Sequence, residues 1–364
     1  MKKFARLLTI GLGTSILLVC SYLAKNWYYQ ANLLHAQEML ATIDIPVEIR
    51  DLILQNKLPK YASVMRIDNN KIFFATELSR SKLFYRDKRL LTFLENISKS
   101  ENLPDGFYLI STADNIIKPL SYPILTFAGS QSLAEQGHIV LFPDYDAQRG
   151  YQKLFAKIEE GISTYPWQKK VAKIFWRGAN TGYAIENKTL RTKFLDQTKD
   201  LFFIDAGFTK HTQFKTKADK DAFAAKYPLK NKASEKDALQ YKYLIDVDGN
   251  SCSYSRMAWI LYSNSLLLKH KSDQVQWYYS LLEENVHYLP IAEDFSNIES
   301  QFRWAEEHTN EVQTLITNAS NLAKKVFSEE AVIQAALQAL QSYQMLAKNK
   351  EQNAYARATV AKLP

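Results

Sequence analysis

From residue 171 onward, short apolar runs alternate with helix-like segments, and this alternation constrains the chain more than any other feature. "VAKIFWRG", "DLFFIDAG", "YKYLIDVDG" and "SLLLKH" are strand-like, and most end in glycine or a charged residue. "NKTLRTKFLDQ" and "SYSRMAWILYSN" lie between them with helical spacing. Strands that take turns with helices predict a parallel α/β sheet, in which ligands sit beyond the C-terminal ends of the strands. Residues 171–327 are therefore read as one lobe.

At 364 residues the chain is too long for one ordinary core. The stretch 45–170 supplies a second lobe, with strand-like "KIFFATEL", "FYLIST" and "HIVLF" and helical "PVEIRDLILQNKL" and "DKRLLTFLENISKS". "YQKLFAKIEEGISTYPWQKK" predicts a helix ending near Gly161. The tail from Asn297 to Lys350 is helical throughout, with Ser328 as a cap, and residues 328–364 are set apart as a helix that packs back, followed by a tail.

The N-terminus carries an address. "MKKFAR" precedes "LLTIGLGTSILLVCSYLA", Leu7–Ala24, which holds no charged residue. Eighteen residues at about 1.5 Å rise nearly cover a bilayer core, so residues 1–26 are read as an uncleaved membrane anchor. A signal peptide is the competing reading, but no convincing A-x-A site follows. A juxtamembrane helix is expected over 27–44, with Trp27 and Tyr28 at the interface. The expected location is a bacterial inner membrane, single-pass, with the face of the body left open.

The formal charge of +8 favours an anionic partner: nucleic acid, a membrane surface or a phosphorylated small molecule. Eight lysines fall between Lys210 and Lys236, but interspersed acids and few aromatics make that run a solvated loop and surface helix rather than a nucleic-acid patch. Two cysteines, Cys20 and Cys252, give no disulfide framework, and Cys252 is read as a small buried hydrophobe. Six scattered histidines form no metal-ligand spacing.

Three stretches carry chemistry. "FWRGANTG" ends a predicted strand in an Arg-Gly turn that lets backbone N–H groups approach a ligand beside Arg177. "DVDG" places Asp246 and Asp248 on one face of a strand, a pattern that suits a cation, a sugar hydroxyl or the orientation of the loop. "GNSCSYSR" follows a strand and opens a helix, with Ser253 or Ser255 as a cap and other N–H groups left for a diphosphate next to Arg256. Neither GxGxxG nor GxxxxGK[ST] is present.

Taken together these stretches resemble the family-90 glycosyltransferases, which include LpsA-type lipopolysaccharide-modifying proteins, fungal capsule xylosyltransferases and Rumi-type protein O-glucosyltransferases. "FWRGANTG" looks like the family's F-R-G-S-x-T turn, and "IDAGFTKH" is similar to its D-A-x-aromatic-T-K segment. "KYLIDVDGNSCSYSRMAWIL" and "WYYSLLEENVHYLPIAEDFSNI" are similar to two further family stretches, in the same order. The resemblance runs from about Leu103 to the C-terminal helices.

It implies a GT-B-like fold of two Rossmann-like lobes with a cleft between them, a UDP-sugar as co-substrate, inversion at the anomeric carbon, and no cofactor or metal. Carried over, Arg256 neutralises the donor diphosphate, Asn250, Ser251, Ser253 and Tyr254 line its loop, and Arg177, Gly178, Asn180 and Thr181 form the facing turn. Arg191 is a weak match to a further donor arginine. Ala179 stands where the family usually has a donor-contacting serine. "LPDGFYLISTADN" is similar to the segment bearing the family's catalytic aspartate, which makes Asp114 the candidate base, with Asp144 as the alternative.

The expectation is a membrane-anchored transferase moving a hexose or pentose to lipopolysaccharide or another surface glycan. Protein O-glucosylation, or non-catalytic glycan or nucleotide binding on the same fold, are the alternatives. No nucleic-acid partner is expected.

Overall fold

The computed structural model describes residues 45–59, 61–75, 85–116, 118–182 and 188–360. The expected anchor and juxtamembrane helix, residues 1–44, lie outside the described residues, among which no helix is long and apolar enough to cross a membrane.

Two five-stranded sheets organise the chain. The first half runs α1 (Val47–Leu54), β1 (Ala62–Asp68), β2 (Lys71–Ala75), α2 (Tyr85–Ile97), β3 (Gly106–Ser111), β4 (Ile124–Thr126), β5 (Gly129–Ser130), α3 (Gln131–Glu135), β6 (Ile139–Leu141) and α4 (Gln152–Thr164). The second runs β7 (Val171–Ala179), α5 (Leu190–Thr198), β8 (Ile204–Lys210), α6 (Lys217–Lys226), α7 (Glu235–Ala238), β9 (Tyr241–Asp246), α8 (Ser255–Tyr262), β10 (Leu266–His270), β11 (Gln274–Val275) and β12 (Leu289–Ile291). Three helices close the chain: α9 (Ile298–Glu307), α10 (Thr309–Val326) and α11 (Glu329–Val360).

The first sheet, ordered β2-β1-β3-β4-β6, is mixed: β1 runs antiparallel to both β2 and β3, whereas β3, β4 and β6 are parallel. It thus departs from an all-parallel Rossmann-like lobe. The cause is local. Asp68 faces Lys71 across a two-residue turn, and Asn69 and Asn70 both adopt positive φ, 49° and 60°. Asparagine tolerates that conformation, and such a turn matches the twist of a hairpin.

The second sheet is parallel throughout, ordered β12-β10-β9-β7-β8. The chain leaves β7 toward β8, then returns to place β9 on the other side of β7 and continues outward to β10 and β12. The order reverses between β7 and β9, so the loops following these two strands diverge and leave a crevice at their C-terminal ends. Buried Trp176, Tyr243, Phe208 and Phe194 fill the sheet's core beneath it.

Two departures concern helix ends. Gly161 does not stop α4. It is buried within the helix, where a Cβ would stand 2.5 Å from Leu239 Cδ1, so its role is close packing. Ser328 does cap α11, its Oγ accepting the Ala331 N–H at 3.2 Å. That helix returns to the first sheet, burying Ala336, Leu340, Tyr343 and Ala347 in its core. The Tyr343 hydroxyl accepts the Leu109 N–H of β3 at 2.7 Å. Tyr343→Phe is expected to strand this buried donor and lower unfolding free energy by about 1–3 kcal/mol in urea titration.

The lobes are joined beyond the chain connection. β5 pairs antiparallel with β11, Gln131 N donates to Asp273 O at 2.7 Å, and Asn115 Nδ2 donates to Gln274 Oε1 at 2.7 Å.

Candidate active site

The crevice between β7 and β9 opens into a cavity of about 420 Å³. Its floor is built from the end of β7, the loop 247–254 and the first turn of α8. Helix α8 begins at Ser255, with Tyr254 in the capping position and no side-chain cap. Neither Ser253 nor Ser255 takes the expected capping role. Ser253 Oγ is instead buried without a hydrogen-bond partner among the described residues, while the residue lines the cavity. The N–H groups of Arg256 and Met257 donate to the carbonyls of Ser253 and Tyr254 at 3.0 and 3.1 Å, so the helix start offers the space chiefly the positive end of its dipole.

Tyr254 has φ 42° and ψ −119°, a conformation a bulky L-residue rarely adopts. Its hydroxyl donates to Asp114 O at 2.6 Å, as does Ser251 Oγ, also at 2.6 Å. These two bonds from one lobe to the other over-determine the loop and hold the strained residue in place.

Four arginines line the cavity, and they differ in their partners. Arg177 is tied down: Nη2 pairs with Asp205 Oδ1 at 2.6 Å and Nη1 donates to Asp205 O at 2.8 Å. Burial would raise the Asp205 carboxyl, but hydrogen bonds from Tyr241 and Arg177 outweigh it and hold the carboxyl below its ordinary value. Arg86, on α2, pairs with Asp114 Oδ1 at 2.7 Å and lies 4.3 Å over the Tyr145 ring.

Arg191 and Arg256 are different. Neither has an ion-pair partner among the described residues. Arg191 is 8% exposed and acts as a strut, donating to Val247 O and Ala179 O at 3.1 Å and to Thr181 Oγ1 at 2.6 Å. Burial, then the neighbouring Arg256 charge, pull its pKa down to about 10. Arg256 donates to Arg177 O at 2.5 Å, and burial lowers its pKa as well. Both guanidinium groups lie over the buried Trp176 ring, 5.5 and 5.8 Å from its centroid. The buried Asp246 charge favours both cations without pairing to either, and two guanidinium groups beside a helix start still suit an anion in the cavity.

Of the donor-binding and base candidates read in the sequence, Arg177, Thr181, Arg191, Asn250, Ser251, Ser253, Tyr254, Arg256 and Asp114 line this one cavity. Three do not. A Cβ on Gly178 would stand 2.6 Å from Trp176 Cζ2, so this glycine seats the ring beneath the two arginines. Asn180 is buried and exchanges two hydrogen bonds with the Thr212 backbone, 3.1 and 2.7 Å. Asp144 is buried away from the cavity, its Oδ1 accepting the N–H groups of Asp146 and Ala147 at 2.8 and 3.3 Å.

Burial, and then the Asp146 charge, raise the Asp144 carboxyl to about 7. The native state therefore keeps a proton that the unfolded chain loses near pH 4, and stability falls as pH rises from about 4 to 7. Asp144→Asn is expected to flatten this slope, worth on the order of a few kcal/mol, in urea titrations at pH 5 and 8.

Asp114 faces the cavity with both carboxylate oxygens engaged: Oδ1 by Arg86, and Oδ2 by Asn250 Nδ2 at 3.1 Å. Asn250 Oδ1 in turn accepts from Gln213 Nε2 at 2.8 Å. Asp246 and Asp248 are buried behind the loop and do not line the cavity. Asp248 accepts from Ser272 Oγ at 2.5 Å, and burial followed by the Asp246 charge raises it to about 6. Among the described residues no group of three or more His, Cys, Asp or Glu is placed to hold a metal. Cys252 is buried in the same loop, and burial pushes its thiol up.

Arg86, Tyr145 and Glu235 also line the cavity and were not singled out in the sequence. Arg86 sits in the charged helix segment "YRDKRLL", where a cation on an amphipathic surface gives no sign of facing inward.

A parallel α/β sheet with an arginine-lined cavity at its switch point defines a class of proteins equipped for phosphorylated ligands. Within it the chain belongs to glycosyl transferase family 90, whose profile matches residues 109–362. It is 24% identical to protein O-glucosyltransferase 2 of Danio rerio over 275 residues, 71% of this chain and 50% of that protein. It is 26% identical to O-glucosyltransferase LpsA of Dichelobacter nodosus over 179 residues, 49% of this chain and 51% of that protein. The chain thus spans about half the length of these relatives. The crystal structure of Anabaena Alr3699/HepE in complex with UDP-glucose aligns with 51% of this chain and 53% of that one, with 11% identity and a TM-score of 0.34, too distant to argue from.

Proposed function

We propose that the chain transfers a sugar from a UDP-sugar to a glycan hydroxyl, with inversion and without a metal, on a GT-B-like pair of lobes. Family membership supports the class of reaction. The observation that carries the reading is the pair of guanidinium groups, Arg191 and Arg256, which have no ion-pair partner among the described residues and stand beside the uncapped start of α8. The donor diphosphate lies there, met by Arg256 and the positive end of the α8 dipole, with Ser253 Oγ as a further donor. Arg191 acts through Thr181 and the Val247 and Ala179 carbonyls to hold both loops in shape.

Asp114 is the base. As the acceptor oxygen attacks the anomeric carbon, its proton passes to the Asp114 carboxylate, the bond from that carbon to the diphosphate oxygen breaks, and the charge left on the diphosphate is held by Arg256 and the helix start. Arg86 and Asn250 hold the carboxylate in place from opposite lobes. The acceptor is a lipopolysaccharide or other surface glycan, and residues 7–24 hold the enzyme at the membrane that carries it. The relative O-glucosyltransferase LpsA supports the transfer of a sugar to a hydroxyl oxygen. The relative named as a protein O-glucosyltransferase supports a protein acceptor as the second reading.

A UDP-release assay over a panel of UDP-sugars, run with bacterial glycolipid extract and separately with folded protein acceptors, tests the reading. Acceptor-dependent release with glycolipid is the expected result. Release only with protein would favour the second reading, and UDP binding without turnover on any acceptor would make the chain a binding module.

A further inference from the structure

Asp114 is held by a chain of amide groups that begins outside the cavity. The Gly182 N–H donates to Gln213 Oε1 at 3.2 Å, Gln213 Nε2 donates to Asn250 Oδ1 at 2.8 Å, and Asn250 Nδ2 donates to Asp114 Oδ2 at 3.1 Å. Gln213 is exposed and does not line the cavity. We infer that Gln213 is a positioning residue for transfer: it fixes which end of the Asn250 amide meets Asp114, and so keeps that carboxylate aimed and free to take a proton. This inference rests on the reading of Asp114 as the base.

The direction of the chain is set at its first link. A main-chain N–H can only donate, so Gln213 turns its side-chain oxygen to Gly182 and its NH2 to Asn250. The Asn250 oxygen is then occupied, and its own NH2 is left for the carboxylate. The loop that carries Gln213 is fixed, because Asn180 exchanges two hydrogen bonds with the Thr212 backbone beside it. Gly182 stands against the Asn250 loop, where a Cβ would lie 3.2 Å from Gly249 O. The loops after β7, β8 and β9 thus meet in one chain that ends on the other lobe.

The two ends of an amide are alike in shape and opposite in hydrogen bonding, so a turned Asn250 would fit and fail. Its oxygen would face Asp114 Oδ2, two acceptors with no proton between them. The carboxylate would swing away or take up a proton, and a protonated carboxyl cannot serve as the base. In the observed order one carboxylate oxygen accepts from Arg86 and the other from Asn250, which leaves lone pairs for the acceptor's proton.

The test compares Gln213→Ala and Gln213→Glu, alone and combined with Asn250→Ala, by the maximal rate of UDP release at saturating donor. The donor is the UDP-sugar of the panel that the wild type turns over fastest, and thermal unfolding checks the fold. Gln213→Ala frees Asn250 to follow the carboxylate and is expected to stay within a few-fold of wild type. Gln213→Glu keeps the shape but cannot donate, so it draws the Asn250 NH2 to itself. It is expected to lower the maximal rate roughly 10- to 100-fold, the range of a hydrogen bond to a charged group. A residue that merely shaped the loop would give the reverse ranking. In the Asn250→Ala background the two substitutions are expected to coincide, because their difference passes through Asn250. Gln213→Glu as fast as Gln213→Ala, or a deficit that persists beside Asn250→Ala, overturns the role of Gln213 alone. A wild type that turns over no UDP-sugar overturns the transferase reading and this role with it.

Discussion

Arg256→Ala is expected to weaken UDP binding about 100-fold and to abolish measurable sugar transfer at ordinary donor concentrations. The guanidinium sits at the start of a helix without a side-chain cap, over Trp176, and among the described residues it has a hydrogen bond to Arg177 O and no paired carboxylate. A charge-assisted hydrogen bond to a phosphate is worth up to about 3 kcal/mol, which is the factor quoted. Arg256→Lys keeps the charge but loses the planar fork, so it should recover only part of the affinity. Truncation also leaves the Arg177 carbonyl without a partner, so thermal unfolding must accompany the titration. A fall in affinity at nearly constant melting temperature assigns the loss to the ligand.

Asp114→Asn is expected to slow transfer by about 10²- to 10⁴-fold, the usual contribution of a general base, while UDP binding stays within a few-fold of wild type. The two effects separate because the bonds that shape the donor loop, from Ser251 and Tyr254, end on the Asp114 main-chain oxygen and survive the substitution. The ion pair to Arg86 and the proton-accepting oxygen are lost, and the single amide oxygen left can accept from Arg86 or from Asn250 but not from both as the carboxylate does. Single-turnover transfer measured beside equilibrium UDP binding reads both. Asp144→Asn is expected to leave transfer unchanged, since that carboxyl is buried away from the cavity. A variant ranking with Asp144→Asn slow and Asp114→Asn normal would move the base.

Much of the second sheet was legible because its strands are apolar runs that end where the chain must turn toward a ligand. "VAKIFWRG" and "YKYLIDVDG" announce both the strands and the loops that flank the switch point. The order of those strands was not legible, since periodicity says where a strand lies and nothing about its neighbours. The hairpin in the first sheet had a local signal, Asp68-Asn69-Asn70-Lys71, whose two asparagines mark a tight turn, and β1 itself passed unnoticed within "ASVMRID".

In the cavity, the sequence pointed to glycine-rich and serine-rich turns and the arginines beside them. It did not reveal that Arg177 is occupied by Asp205, because that pairing joins two strands 28 residues apart. Nor did it mark Arg86 or Glu235. Each lies in a run of charges that reads as solvated surface, and only the fold turns one charge of each run inward. Gly178 shows the converse: a glycine in a ligand-like turn whose smallness serves a tryptophan.

The most direct measurement is a crystal structure of the chain grown with UDP. The diphosphate is predicted within hydrogen-bonding distance of the Arg256 guanidinium and Ser253 Oγ, at the start of α8 in the crevice between β7 and β9. Nucleotide bound elsewhere, with this crevice empty and the Arg256 guanidinium untouched, would contradict the account.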